Sequence, residues 1–296
     1  MFYPLGFMLL FSMIWSAYWF VASNRAQEEV ALQRKMLKAK GIGLVCRKES
    51  WGGFPFRFEF TCNSPSLTFN AMELKTARLR AVAQAYNPFH ILLLVDGPTS
   101  FARSDAILAS ASHKGAIISI TYDTKGNWDI SSEASDVMVP NVITAASVKF
   151  FARQQEGKID LAGNADGVIA LARSKFEHAA FRGQVTSPSL QNPAVNISSL
   201  EITAGSVNFE AQGDIAVDNA HLISGSISSQ TNDIDGVLAL LTPLLDLKGD
   251  DIVAVKGLLL MQGNDMKLPA QKAQFTARNG SIYLGLLKLA DVEPLY

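Results

Sequence analysis

The sequence has little of the chemistry that marks an enzyme or a metalloprotein. It has four histidines, no two of them closer than 20 residues along the chain. HExxH, CxxC, Walker A and G-x-S-x-G motifs are absent, and no G-x-G-x-x-G follows a predicted strand. We therefore predict a non-enzymatic protein with no catalytic residue, no metal site and no cofactor.

Charge is also sparse and almost balanced. The formal net charge is −1, with 18% charged and 48% hydrophobic residues. A nucleic-acid-binding protein usually carries a basic surplus, so we predict no nucleic acid partner. The hydrophobic content is that of a folded domain and argues against disorder.

Charge is missing altogether from the stretch PLGFMLLFSMIWSAYWFVA, Pro4 to Ala22. As a helix, these residues would extend roughly 28 Å, close to the roughly 30 Å of a bilayer core. Trp15, Tyr18 and Trp19 lie towards its end, where aromatic rings favour the membrane interface. The stretch predicts a transmembrane signal anchor over 4–23, with membrane lipid as its partner.

A helical stalk is predicted over 24–41. Asn24 to Lys40 contains no Gly or Pro, and Gly41 can end the helix. Its charged, weakly amphipathic surface favours a solvated stalk over a partner-binding helix.

The charges flanking the anchor oppose export of the body. The three residues before it carry no basic side chain, whereas residues 25–40 carry five basic and two acidic ones. By the positive-inside rule this segment would be cytoplasmic. The cysteines and the strand pattern described next favour a single-pass inner-membrane protein with a periplasmic body. A cleaved signal sequence is the alternative, with a marginal cleavage site at Val21-Ala22-Ser23.

The first body segment, residues 42–62, alternates strictly. Phe54, Phe56, Phe58 and Phe60 are predicted to share one strand face with Cys62. This row is the candidate apolar, lipid-facing surface.

The two cysteines, Cys46 and Cys62, each lie on the apolar side of a predicted strand, with Gly52-Gly53 between them. We predict a disulfide, worth about 3 kcal/mol for a loop of this length. A tight turn at Gly52-Gly53 would misalign the pair, so the connection must be longer or bulged. Two buried free thiols in a cytosolic protein are the alternative.

The rest of the chain predicts one β-rich domain over 42–296. Short alternating runs are separated by turn signals every 8–12 residues, which is typical of an antiparallel sheet. We predict a mainly β fold with a large curved sheet, an open trough or a flattened barrel. Amphipathic spacing predicts a helical hairpin at about 233–261, with helices Asp233 to Leu247 and Asp251 to Met261. Gly163 to Gly167 is predicted as a plain turn, and Asn279-Gly280 as a type I′ turn.

The apolar residues exceed what a thin sheet needs. Beyond the four phenylalanines there are Phe150, Phe151, Phe209 and the leucine-rich hairpin. Core packing is the plain interpretation, and a groove for lipid or acyl chains is the sharper one. The alternative function is a scaffold module that presents the sheet to an envelope protein partner.

Several segments together resemble the DUF2125 family, proteins of unknown function found mainly in alphaproteobacteria. They are WSAYWFVA, GGFPFRFEF between Cys46 and Cys62, Tyr86-Asn-Pro-Phe-His90, Asp96-Gly-Pro98 and the terminal NGSIYLGLLKLADVEPLY. The segment FEAQGDIAVDNAHLISGSISSQTNDIDGVLALL is similar to AsmA-like repeats. The AsmA-like resemblance implies a periplasmic protein anchored in the inner membrane, in some cases tied to lipid transport. The family implies no catalytic residues.

Overall fold

Two compact units make up the chain, Met1–Gly126 and Asn127–Tyr296, whereas the sequence predicts one body over 42–296. A computed structural model describes residues 3–69, 72–103, 106–170, 174–187, 193–218, 220–245, 249, 252–253, 256–257, 271–285 and 287–292. The fold is mainly β, and every described strand pairing is antiparallel. The predicted fold class is confirmed.

Helix α1 runs without a break from Tyr3 to Ala39, so the predicted anchor and stalk form one element. It ends where Gly41 takes a positive φ of 80° and donates its N–H to the carbonyl of Lys38. Among the described residues, α1 is the one helix that is long and apolar enough to cross a membrane. This supports a single-pass anchor or a signal sequence.

In its described residues, unit 1 contains eight strands besides α1. Strand β5 is central, pairing with β3, β4 and β6, and β6 pairs in turn with β7 and β8. The strands are β1 (Gly43–Val45), β2 (Lys48–Gly52), β3 (Arg57–Asn63), β4 (Ser66–Phe69), β5 (Met72–Gln84), β6 (Asn87–Arg103), β7 (Ala106–Ala111) and β8 (Gly115–Tyr122).

The prediction that four phenylalanines share one strand face is wrong for the first two. Strand β3 begins only at Arg57, and Phe54 and Phe56 lie in the turn that precedes it. Gly53 has a φ of 101° and its carbonyl accepts a hydrogen bond from Arg57 N, which closes the turn. Pro55 lacks the N–H that a strand would need at that position. Phe58 and Phe60 do share a face of β3 with Cys62.

The predicted disulfide joins Cys46 to Cys62. Strands β2 and β3 pair from Lys48 with Asn63 to Gly52 with Glu59, so their connection is longer than a two-residue turn, as predicted. Cys46 lies in the break between β1 and β2, and Cys62 is fully buried.

Unit 2 is a meander in which each strand pairs with the next along the chain. No pairing joins its first strand to its last within the described residues, so the sheet is not closed. The strands are β9 (Trp128–Val139), β10 (Ile143–Gln155), β11 (Lys158–Ala170), β12 (Ser174–Ser187), β13 (Ala194–Ala204), β14 (Val207–Val217), β15 (Ile223–Thr231), β16 (Gln271–Arg278), β17 (Ser281–Leu284) and β18 (Leu287–Asp291).

Helix α2 spans Ile234–Leu245 and confirms the first helix of the predicted hairpin. Asp233 caps it, because its Oδ1 accepts a hydrogen bond from Gly236 N at 2.9 Å. Ile234 and Leu238 bury their side chains against Leu284 and Phe275. The predicted second helix, Asp251 to Met261, falls mostly outside the described residues.

Two local turn predictions have opposite outcomes. Asn279 and Gly280 have φ values of 51° and 75° and link the paired residues Arg278 and Ser281, as a type I′ turn requires. The turn predicted at Gly163 to Gly167 is wrong, since β11 continues through it and residues 163–166 pair with both β10 and β12. Gly167, with a φ of 59°, is skipped by both ladders.

Candidate membrane-facing site

Three aromatic side chains on one face of α1 hydrogen-bond to the same end of unit 1. Trp15, Tyr18 and Trp19 are spaced i, i+3 and i+4, which puts them side by side on a helix. Trp15 Nε1 donates to the carbonyl of Pro55 at 2.9 Å, and Trp19 Nε1 donates to that of Arg57 at 3.0 Å. The Tyr18 hydroxyl donates to the carbonyl of Ala85 at 2.9 Å. The helix is therefore fastened to two neighbouring loops of the sheet.

The rings of these residues also pack against the turn before β3. Trp19 is only 6% exposed, with its ring centroid 5.3 Å from Phe54 and 5.8 Å from Phe58. Phe20 stacks on Phe54 at 5.7 Å, and Trp15 lies 6.5 Å from Phe56. We call the set the aromatic junction: Trp15, Tyr18, Trp19, Phe20, Phe54, Phe56 and Phe58.

The second half of α1 continues along the same hairpin. The Arg34 guanidinium lies 5.1 Å from the centre of the Phe60 ring and 2.8 Å from Glu49 Oε1. Ser23 is buried as well. The segment predicted as a solvated stalk is mostly exposed and contacts β2 and β3 through Arg34.

The structure brings all four predicted phenylalanines to α1. Phe58 and Phe60 pack beneath it, whereas Phe54 and Phe56, on the turn, stay 52% and 65% exposed. Sequence reasoning placed Trp15, Tyr18 and Trp19 at the membrane interface but missed their contact with the turn. Their i, i+3, i+4 spacing, which makes a single aromatic face, was the available signal.

A profile of an uncharacterized protein family conserved in bacteria, DUF2125, matches residues 19–293. The chain belongs to the DUF2125 family. The matched region begins at Trp19, inside the aromatic junction, and includes both cysteines. A comparison with curated proteins found no match. The AsmA-like resemblance stays a prediction.

A second candidate surface of this DUF2125 chain is one face of the unit 2 sheet. Phe150, Gly163 and Phe181 are cross-strand partners on β10, β11 and β12, and the two rings lie 6.3 Å apart. A Cβ on Gly163 would come within 2.5 Å of the Phe181 ring, so glycine makes room for it. The register extends this apolar face across the sheet through Val148, Phe150, Ala152, Leu161, Phe181, Leu200, Ala211, Ile227, Phe275 and Leu284.

Helix α2 covers one part of the apolar face, where it packs on Phe275 and Leu284. Towards β10 the face carries Phe150, which is exposed. Its sequence neighbour Phe151 is also exposed but points to the opposite face, between Lys149 and Arg153. Lys149 and Arg153 pair there with Glu133 and Asp129. The two faces therefore differ sharply in polarity.

One polar cluster of the DUF2125 chain contains the residue types of a hydrolase. Asp166 Oδ1 lies 2.6 Å from His178 Nδ1, and Ser147 Oγ donates to Asp166 Oδ2 at 3.0 Å. A nucleophilic serine needs a histidine base next to its own hydroxyl, whereas here the carboxylate separates them. All three side chains are at least partly open to solvent. The cluster is a surface network, and within the described residues no group of His, Cys, Asp and Glu could hold a metal ion.

The same cluster predicts a defined pH dependence. The hydrogen bonds from His178 and then Ser147 hold the pKa of Asp166 below its ordinary value of 3.8. A lowered folded-state pKa contributes stability that is present above the unfolded value and lost as pH falls through the folded one. We expect Asp166→Asn to be less stable than wild type at pH 5 and to converge with it in stronger acid, in denaturant unfolding. Ser147→Ala, which keeps the His178 contact, should differ less from wild type in its free energy of unfolding. Identical pH profiles of unfolding for wild type and Asp166→Asn would contradict this prediction.

Proposed function

We propose that the chain is a single-pass inner-membrane protein whose β-rich body lies in the periplasm and binds lipid acyl chains. The apolar face of unit 2 is the proposed binding surface. The observation that carries the proposal is the open apolar end of this face around Phe150, in a chain with a helix able to span a membrane. Such a face matches the chemistry of acyl chains rather than that of a polar ligand.

Two features support the location. Helix α1 exposes almost all of its side chains between Tyr3 and Ile14, as a segment in contact with lipid would. The Cys46–Cys62 disulfide is the kind of bond that persists in an oxidising compartment such as the periplasm. Together they support an anchor in the inner membrane with the body outside the cytoplasm.

Lipid retention by the purified full chain tests the proposal. We expect native mass spectrometry of the detergent-solubilised protein to show bound lipid. Phe150→Glu should lower the lipid-bound fraction several-fold, because burying a carboxylate among acyl chains is unfavourable. Phe151→Glu adds the same charge one residue away on the polar face and should leave the bound fraction unchanged.

The scaffold alternative has a separate readout. A chain that retains no lipid, or retains it equally in both variants, would overturn lipid binding by the apolar face. Recovery of one stable envelope protein by crosslinking in cells would then favour the scaffold.

A further inference from the structure

The aromatic junction fixes the position along α1 at which the turn before β3 contacts the helix. The carbonyl of Pro55 is bound by Trp15, and Phe54 stacks on Phe20. Trp15 precedes Ala22, the last residue of the uncharged stretch, by seven positions. At ~1.5 Å rise per residue, Trp15 is about 10 Å inside the end of that stretch.

A membrane span over Pro4 to Ala22 includes the part of the helix that carries the aromatic junction. Without residues 15–22, the uncharged stretch keeps only residues 4–14. That is about 16 Å of helix, against a hydrocarbon core of roughly 30 Å. If the Pro4 to Ala22 stretch of α1 spans the membrane, residues 15–20 lie within it, and the turn packed beside them is carried to the same depth.

The side chains at this end of unit 1 suit the interface. Phe54 and Phe56 are 52% and 65% exposed, and Tyr86, in the next loop, is 68% exposed. The two loops are adjacent because Arg57 pairs with Gln84, which in turn pairs with Asn87. A soluble surface seldom gathers exposed large aromatic groups, whereas the headgroup layer of a bilayer favours them.

Several backbone carbonyl groups at this end of unit 1 accept hydrogen bonds from protein donors, as a low-polarity environment requires. The carbonyl of Gly53 accepts from Arg57 N and that of Phe56 from Ala85 N. The carbonyls of Pro55, Arg57 and Ala85 accept from the three α1 side chains of the aromatic junction. Irregular backbone enters a membrane only where its polar groups are satisfied by protein.

We propose that the turn 53–56 and Tyr86 form a second membrane contact, seated at the depth of Trp15 to Phe20, at and just below the interface of the bilayer that α1 spans. This inference rests on the anchor in the proposed function and goes beyond it. The occupant of the exposed aromatic surface is the bilayer itself, since the surface is continuous with the membrane helix. We call the turn 53–56 with Tyr86 the wedge. Unit 1 is then held at the membrane by helix α1 and by the wedge.

Spin labelling of the full chain tests the proposal. Both native cysteines are in the disulfide, so a single introduced cysteine can be labelled without reduction. Variants Phe56→Cys, Met8→Cys and Lys114→Cys are reconstituted in vesicles of phosphatidylethanolamine and phosphatidylglycerol. Met8 is exposed in the first half of the anchor. Lys114 is exposed and precedes β8, at the end of that strand remote from the Tyr86 loop. Power saturation compares access by dissolved oxygen with access by a water-soluble nickel chelate.

We expect the labels at Phe56 and Met8 to favour oxygen over nickel and the label at Lys114 to favour nickel. A label at Phe56 that matches Lys114 while Met8 is protected would overturn the wedge and leave the anchor intact. Nickel access at Met8 would overturn the anchor and the wedge together. Tyr86→Cys repeats the measurement at a residue outside the turn, in case labelling at Phe56 disturbs the aromatic junction.

Discussion

Trp19→Ala is expected to destabilise unit 1 by about 3–5 kcal/mol, the usual loss for removing a buried large aromatic side chain. The indole is 6% exposed, contacts Phe54 and Phe58, and donates a hydrogen bond to Arg57. Its removal leaves a cavity under α1 and an unpaired carbonyl in β3. Thermal or denaturant unfolding of the full chain in detergent, followed by intrinsic fluorescence, measures the change.

Two matched variants divide this effect into its parts. Trp19→Phe keeps most of the ring contacts but loses the Nε1 donor, so we expect a loss of about 1–3 kcal/mol, made up of the hydrogen bond and the smaller ring. Phe7→Ala changes an α1 side chain that is 71% exposed and should leave unfolding unchanged. If Trp19→Ala were no more harmful than Phe7→Ala, the helix would not be fastened to unit 1 through this residue.

Loss of the Cys46–Cys62 disulfide is expected to lower the free energy of unfolding by about 3 kcal/mol, since the bond closes a loop of about fifteen residues in the unfolded chain. Reductant and the double variant Cys46→Ser/Cys62→Ser should shift the unfolding midpoint by similar amounts. Reductant added to the double variant should do nothing further, which controls for other effects of the reagent.

The oxidation state of the two cysteines also tests the proposed periplasmic location of the body. Protein taken from cells, unfolded without reduction and treated with a thiol reagent should carry no label. Labelling at both cysteines would show free thiols and remove the main argument for export, since the charges at residues 25–40 favour the cytoplasm.

Alternation predicted the strand that contains Phe58, Phe60 and Cys62 but extended it too far. The alternation of apolar residues continues back through Phe56 and Phe54. Gly53 and Pro55 impose a turn there, which the hydrophobic pattern alone does not reveal. At Gly163 to Gly167 the error is reversed. Those residues favour turns locally, and ladders on both sides hold residues 163–166 in β11. The Asn279-Gly280 turn was predictable because two adjacent residues determine it.

The candidate site was predictable only in its parts. The rings of α1 suggest a membrane interface from sequence, and the turn phenylalanines suggest an apolar surface. Their contact joins Trp15 to Pro55 and Tyr18 to Ala85, residues 40 and 67 positions apart. Packing between such distant segments depends on the register of β2, β3 and β5, which no local pattern encodes. The family match assigns the chain to DUF2125 but identifies no functional residues.

Helix α1 enters unit 1 with no flexible linker, which has a mechanical consequence. A domain on a loose tether can swing through a wide cone above a membrane. Three hydrogen bonds and a cluster of rings instead fix the angle between the helix axis and the strands of unit 1. In the proposed arrangement, the tilt of α1 in the bilayer determines the orientation of unit 1 relative to the membrane. A change in bilayer thickness that alters this tilt would therefore rotate unit 1.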